Sequence, residues 1–149
     1  MKRTDKTKLR VFLMLLAYVF LLCLLIFFVK FRSRNKKIIF GSTYMTMNNP
    51  YFNVLNENLR DTIEANGDIL ITRDPAQSQS RQNAQIIDML NEGIDILFAN
   101  AVDRSGIESA LYECKKRGVP VILLDTDVDD RVGVISTIQS DNYQAGVLL

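Results

Sequence analysis

No histidine occurs anywhere in the 149-residue chain. That removes His-based catalytic triads and most metal sites, because imidazole is the usual base and the commonest metal ligand. Cysteine is nearly as scarce. Cys23 lies in a long apolar run and Cys114 in a later helical stretch, so the two cannot bridge within one chain. A single thiol in the remainder fits a reduced compartment, or a buried position outside one. No lysine follows Lys116, and no glycine-rich loop stands where a phosphate would need one. The chain after residue 37 also lacks a basic stripe, with eight Lys and Arg against sixteen Asp and Glu. An acidic domain of this kind argues against nucleic acid as its partner.

The total charge of +1 conceals the opposite bias at the start, where residues 1–37 hold ten Lys and Arg and one Asp. Within that basic region, nineteen residues from Val11 to Val29 carry no charge. As a helix they would extend roughly 28 Å, about the thickness of a bilayer core. A cleaved signal would be shorter and end in small residues, but here Val29 runs into Lys30-Phe31-Arg32. A lipid-modified Cys23 is disfavoured by Leu22 before it and by the apolar residues after it. The expected organisation is a basic segment over 1–10, a transmembrane anchor over 11–29, a basic linker over 30–37 and a folded domain over 38–149. Five basic residues flank each side of the run, so positive charge does not set its orientation.

From residue 38 onward one pattern repeats. Strands are expected over 38–43, 68–72, 94–99, 121–124 and 132–136. Helices are expected over 51–66 and 78–92, and from a Ser105 cap to Arg117. The first helix should bury Val54, Leu55, Leu59, Thr62 and Ile63, and the second Ala84, Ile86, Ile87, Met89 and Leu90. Gly67, Gly93 and Gly118 end the helices. Continuously apolar strands alternating with helices imply an α/β domain, a parallel sheet with helices on both faces.

In such a sheet the loops after the strands share one edge, the carboxyl edge, where ligands bind. The loop after the first strand supplies Asn48, Asn49, Tyr51 and Phe52, with Asn48 or Asn49 as cap and Pro50 opening the helix. Taken alone this is a capped helix with two core aromatics, and the other loops favour a second reading. They add Asn100 and Asp103 after the third strand, Asp125 and Asp127 after the fourth, and Ser140-Asp141-Asn142 after the fifth. The edge thus carries carboxylates, amides and aromatic rings, without a nucleophile–base pair. Carboxylates and amides can pair with vicinal hydroxyls, and a flat ring can pack on the apolar face of a sugar. A neutral polyol suits this chemistry, and neither metal nor cofactor is expected.

With these residues in view, the chain resembles the type I periplasmic binding proteins, and among them the ribose- and xylose-binding branch. The resemblance is carried by Met47-Asn48-Asn49-Pro50-Tyr51-Phe52, by Asn100, by Gly118-Val119-Pro120-Val121-Ile122-Leu123-Leu124-Asp125, and by Ser140-Asp141-Asn142-Tyr143-Gln144-Ala145-Gly146. It implies that Asn49 and Asp125 bind sugar hydroxyls, that Tyr51 and Phe52 pack against the ring, and that Asn100 supports the site. It also implies an extracytoplasmic domain at the cell membrane, which passes a pentose or hexose to an ABC-type transporter or reports it to a membrane histidine kinase. Family members have a second, similar domain, so residues 38–149 are expected to be the N-terminal one. Thr126 stands where ribose binders usually have Arg, and Met45 where a small polar residue is common, which leaves the sugar open.

Three rival readings are weaker. Val121–Val128 has the look of a haloacid-dehalogenase-type phosphatase motif, with Asp125 as nucleophile, but the downstream lysine is missing. Asp125, Asp127 and Asp129 mimic a calcium loop, yet Asp130 replaces its glycine and Ser136 its closing glutamate. Lac-type repressors share the core fold but begin with a helix-turn-helix where this chain has its apolar run.

Overall fold

The computed structural model describes residues 3–33 and 36–140, with the side chains of residues 10, 12–28 and 36–140. These fall into two units divided between Lys36 and Lys37. The first is a single helix, α1 (Arg3–Ser33). Its apolar side chains from Phe12 to Phe28 are exposed. Among the described residues no helix is long and apolar enough to cross a membrane. The described side chains of α1 stop short of both ends of the uncharged 11–29 run.

The second unit alternates β1 (Ile39–Thr43), α2 (Pro50–Ala65), β2 (Ile69–Arg73), α3 (Gln79–Glu92), β3 (Ile96–Ala99), α4 (Glu108–Lys116), β4 (Val121–Leu124) and β5 (Val134–Ile138). All strands run parallel, in the order β2-β1-β3-β4-β5. This is the expected α/β fold. The main core lies where α3 and α4 cover one face, with Ile86, Met89, Leu97, Ile107, Leu111, Val121 and Leu123 fully buried. Gly41 on β1 permits that approach, since a Cβ there would sit 2.9 Å from Ile94 Cδ1 and 3.1 Å from Met89 Sδ. On the other face α2 packs over a smaller cluster of Tyr44, Phe52 and Leu124.

Of the two expected caps it is Asn49 that opens α2, its side chain accepting from the Tyr51 N–H. Several other local expectations are corrected. The buried residues of α2 are Phe52, Asn56 and Ile63, while Val54 is exposed and so is Thr62. The cause lies beneath the helix: Ser42 and Thr72 face it, and Asn56 Oδ1 lies 3.0 and 2.9 Å from their hydroxyls. In α3 the buried residues are Gln82, Ile86, Met89 and Leu90, and Ala84 is exposed. Ser105 does not cap α4, which begins after Ile107 without a side-chain cap. Asp103 holds that turn instead, accepting from the Ser105 N–H and hydroxyl and from the Gly106 N–H. β5 starts at Val134 rather than residue 132, because a turn in which Val134 N–H reaches Arg131 O precedes it.

Candidate functional site

The strand order reverses at β1, with β2 on one side and β3 on the other. Loops leaving β1 and β3 therefore diverge, and the crevice between them at the carboxyl edge is where open α/β sheets hold ligands. Each expected residue can now be placed.

Asn49 is exposed, and its Oδ1 accepts from Tyr51 N–H at 3.0 Å. That capping bond fixes the amide group and leaves Nδ2, a two-hydrogen donor, without a partner among the described residues. Tyr51 is 50% exposed and meets Phe52 edge-on at 5.3 Å between ring centres. Phe52 is buried and packs on Tyr44 at 5.5 Å. Only Tyr51 of the two aromatics offers an open ring; Phe52 is the floor beneath it, and it shares its cluster with Leu124.

Asp125 follows Leu124 in an unusual backbone state. Its φ is +63°, and the Thr126 N–H bonds Leu124 O across it at 2.7 Å. A bond spanning two residues around a positive φ is the γ-turn that L-residues rarely adopt, and strain of this kind gathers at ligand sites. The Asp125 N–H is itself tied to Ile138 O at 2.7 Å. The residue is half-buried, and its carboxylate accepts no hydrogen bond from any described residue. A carboxylate without such a partner at the carboxyl edge is a ready acceptor for hydroxyl groups.

The neighbouring acids are occupied. Asp127 pairs with Arg131 and accepts from its own neighbour Val128 N–H. The Arg131 bond and then the Val128 N–H hold its carboxyl below the usual range. Asp129 pairs with Arg104 at 3.2 Å. Asp103 is held low by the Gly106 N–H and the Ser105 hydroxyl. Asp125 alone of these four loop acids is left for a ligand. Asn100 is fully buried and turned inward, with Oδ1 accepting from Met45 N–H and Nδ2 donating to Leu124 O and Thr126 Oγ1. Asp141 and Asn142, also expected at this edge, lie outside the described residues.

Sequence reasoning passed over Tyr44. It is fully buried, and burial pushes its phenol up to about 12. Ser42 stands close enough to temper that rise. However, Ser42 Oγ lies 3.0 Å from Asn56 Oδ1 and 2.9 Å from Thr72 Oγ1, and the Tyr44 oxygen is without a partner among the described residues. The signal was its parity with Phe40 and Ser42 on β1, which turns it toward α2.

Residues 40–149 match the family described as periplasmic binding protein domain. The ribose import binding protein of Bacillus subtilis (strain 168) is 31% identical over 116 residues, covering 76% of this chain and 37% of that protein. The structure of a galactofuranose binding protein superposes with a TM-score of 0.68 at 26% identity, over 74% of this chain and 38% of that one. The fructose binding periplasmic domain of a hybrid two component system superposes at a TM-score of 0.65 and 24% identity, covering 73% of this chain and 36% of that one. The chain thus spans little more than a third of the length of these relatives. With this fold, this carboxyl edge and a match over most of its length, the chain belongs to the periplasmic binding protein family, of type I, alongside the ribose import binding proteins.

Proposed function

We propose that residues 38–149 form one sugar-gripping domain of a membrane-anchored, extracytoplasmic binding protein, without catalytic activity of its own. The observation that carries the reading is Asp125, a half-buried residue in a strained turn at the carboxyl edge, whose carboxylate has no partner among the described residues. Asn49 Nδ2 would donate to a sugar oxygen, Tyr51 would lie against the ring with Phe52 as its floor, and Asp125 would accept from two hydroxyls. A pentose or hexose fits such a set. The ribose- and galactofuranose-binding relatives support that class.

Residues 11–29 are proposed as the anchor, supported by the uncharged run and by the exposed apolar side chains between Phe12 and Phe28. The sugar would be delivered to an ABC-type transporter, as the import proteins among its relatives support. The alternative, signalling through a membrane histidine kinase, is favoured by the likeness of fold to a periplasmic domain of a two component system.

The test is titration of D-ribose and a panel of other pentoses and hexoses against the chain, alongside Asp125→Asn. The family clamps sugar between two domains, and residues 38–149 supply one set of loops. If a complete site reached about −8 kcal/mol, near micromolar, half of its contacts would leave millimolar binding or weaker, because the cost of immobilising the ligand hardly changes. Saturable millimolar shifts lost in Asp125→Asn are expected. Absence of any response across the panel would overturn the reading.

A further inference from the structure

We propose that Gln82 and Asn100 are positioning residues, two buried carboxamides in series that set the geometry of the Asp125 carboxylate. The proposal rests on the sugar-binding reading for its purpose, though not for its structural evidence. Both residues are fully buried. Asn100 Nδ2 donates to Leu124 O and to Thr126 Oγ1, each at 2.9 Å. Those acceptors belong to the residues on either side of Asp125, so one amide straddles the strained turn. Its Oδ1 accepts from Met45 N–H at 3.1 Å, which ties in the loop that leads to Asn49 and Tyr51. The Asn100 side chain therefore links the loops after β1 and β4.

Gln82 on α3 does for Asn100 what Asn100 does for Asp125. Its Nε2 donates to Asn100 O at 2.9 Å and to Thr43 Oγ1 at 3.3 Å. Its Oε1 accepts from Val102 N–H at 3.0 Å. The backbone at the end of β3 is thereby held on both sides, with Asn100 N–H bonded to Thr43 O at 2.8 Å. The chain of influence runs Gln82, Asn100, Asp125, although Gln82 lies on a helix and touches none of the candidate ligand groups.

A general need for core hydrogen bonds does not account for the pair. Asn56, the third buried carboxamide, meets the Ser42 and Thr72 side chains between α2 and the sheet. Gln82 and Asn100 instead bind main-chain groups at turns of the carboxyl edge. Amide chemistry is required there. A carboxylate at 100 would face Leu124 O without a donor, and an apolar group would leave that carbonyl and the Met45 N–H unpaired. Without the bonds on both sides, Asp125 is free to leave its left-handed state and swing its carboxylate out of register.

The test compares the parent chain, in detergent micelles, with Gln82→Met, which keeps size without hydrogen bonds, and Thr126→Val, which removes one acceptor at the turn. Amide exchange is followed by NMR at Thr126 and Met45, with Ile69, bonded to Ile38 O, as a remote control. D-Ribose is titrated in parallel. Both variants are expected to stay folded, Thr126→Val near the parental unfolding midpoint and Gln82→Met below it, because the Asn100 carbonyl and the Val102 N–H lose their partner; exchange is therefore read relative to Ile69. Exchange at Thr126 and Met45 should rise at least tenfold in Gln82→Met, and D-ribose binding should weaken at least fivefold in both variants. Unchanged exchange at Thr126 and Met45 in a folded Gln82→Met would overturn the relay, as would undiminished ribose binding in either variant. If Gln82→Met fails to fold, Thr126→Val decides: faster exchange at its residue 126 amide supports the relay, and parental exchange refutes it. A parent chain that binds no sugar refutes the functional reading, while the exchange data still judge the relay.

Discussion

Asp125→Gly separates strain from function at a single position. In the parent a non-glycine residue sits at φ +63° inside a γ-turn, a state that costs on the order of 1–3 kcal/mol. Glycine adopts it without steric penalty but gives back roughly 0.5–1 kcal/mol through its greater freedom in the unfolded chain. The net expectation is a gain of about 1 kcal/mol, or roughly 4 °C in the unfolding midpoint of the 37–149 unit. Binding should move the opposite way. Losing two charge-assisted hydrogen bonds in a partly desolvated site removes on the order of 2–4 kcal/mol. That is a roughly 30- to 700-fold loss in affinity, which takes a millimolar site beyond detection. Asp125→Asn serves as the control, since Asn tolerates left-handed backbone and keeps the shape while losing the charge. Thermal unfolding by circular dichroism and an NMR-detected D-ribose titration read the two effects. A glycine variant less stable than the parent by about 0.5 kcal/mol or more would show that the turn stores no strain, since relief should outweigh the entropy term.

Four further outcomes follow from the same contacts. Tyr44→Phe should leave stability unchanged or raise it by about 1 kcal/mol, because it deletes a buried hydroxyl that has no partner among the described residues; a clear loss in denaturant unfolding would reveal a bond to that oxygen. Asp103 and Asp127 both titrate below the ordinary 3.8 in the folded state. Their contributions are therefore complete above that value and are lost as pH falls through the depressed ones. Asp103→Asn should flatten the acid limb of stability against pH, and an unaltered limb would remove Asp103 from that role. The Cys114 thiol, raised to about 12 by burial, should resist iodoacetamide at pH 8 until denaturant is added; prompt native alkylation would contradict its burial. The intact chain should be recovered from the membrane fraction with its mass from residue 1, whereas a soluble product starting after about residue 25 would eliminate the proposed anchor.

Much of the architecture was legible in the chain because its signals are local. Apolar strands of four or five residues and helices of 3.6-residue period follow from residue order, and alternation of the two requires a parallel sheet. The carboxyl edge follows in turn, so Asn49, Tyr51, Asn100 and Asp125 could be assigned to one edge from sequence. The α2 stripe was misjudged because Asn56 is buried against Ser42 and Thr72, and pattern reading assigns polar residues to the outside. Gln82 was passed over for the same reason, although its position four residues before Ile86 placed it on the buried face of α3.

What tertiary structure alone decided is the division of labour among similar residues. Asp103, Asp125, Asp127 and Asp129 are chemically alike in the sequence. Arg131 and Arg104 occupy two of them, and turn amides occupy a third. Phe52 and Tyr51 are adjacent, yet helical geometry sends one into the core and leaves the other open. Asn100 reads as a ligand group until its three bonds are seen to point into the protein. The sequence determined which residue types would gather at the edge, because strand polarity is local information. Asp103 and Asp127 are occupied by neighbours two to four residues on, but Asp129 and Asn100 meet partners more than 20 residues away, Arg104 and Leu124, and only the folded chain brings those together.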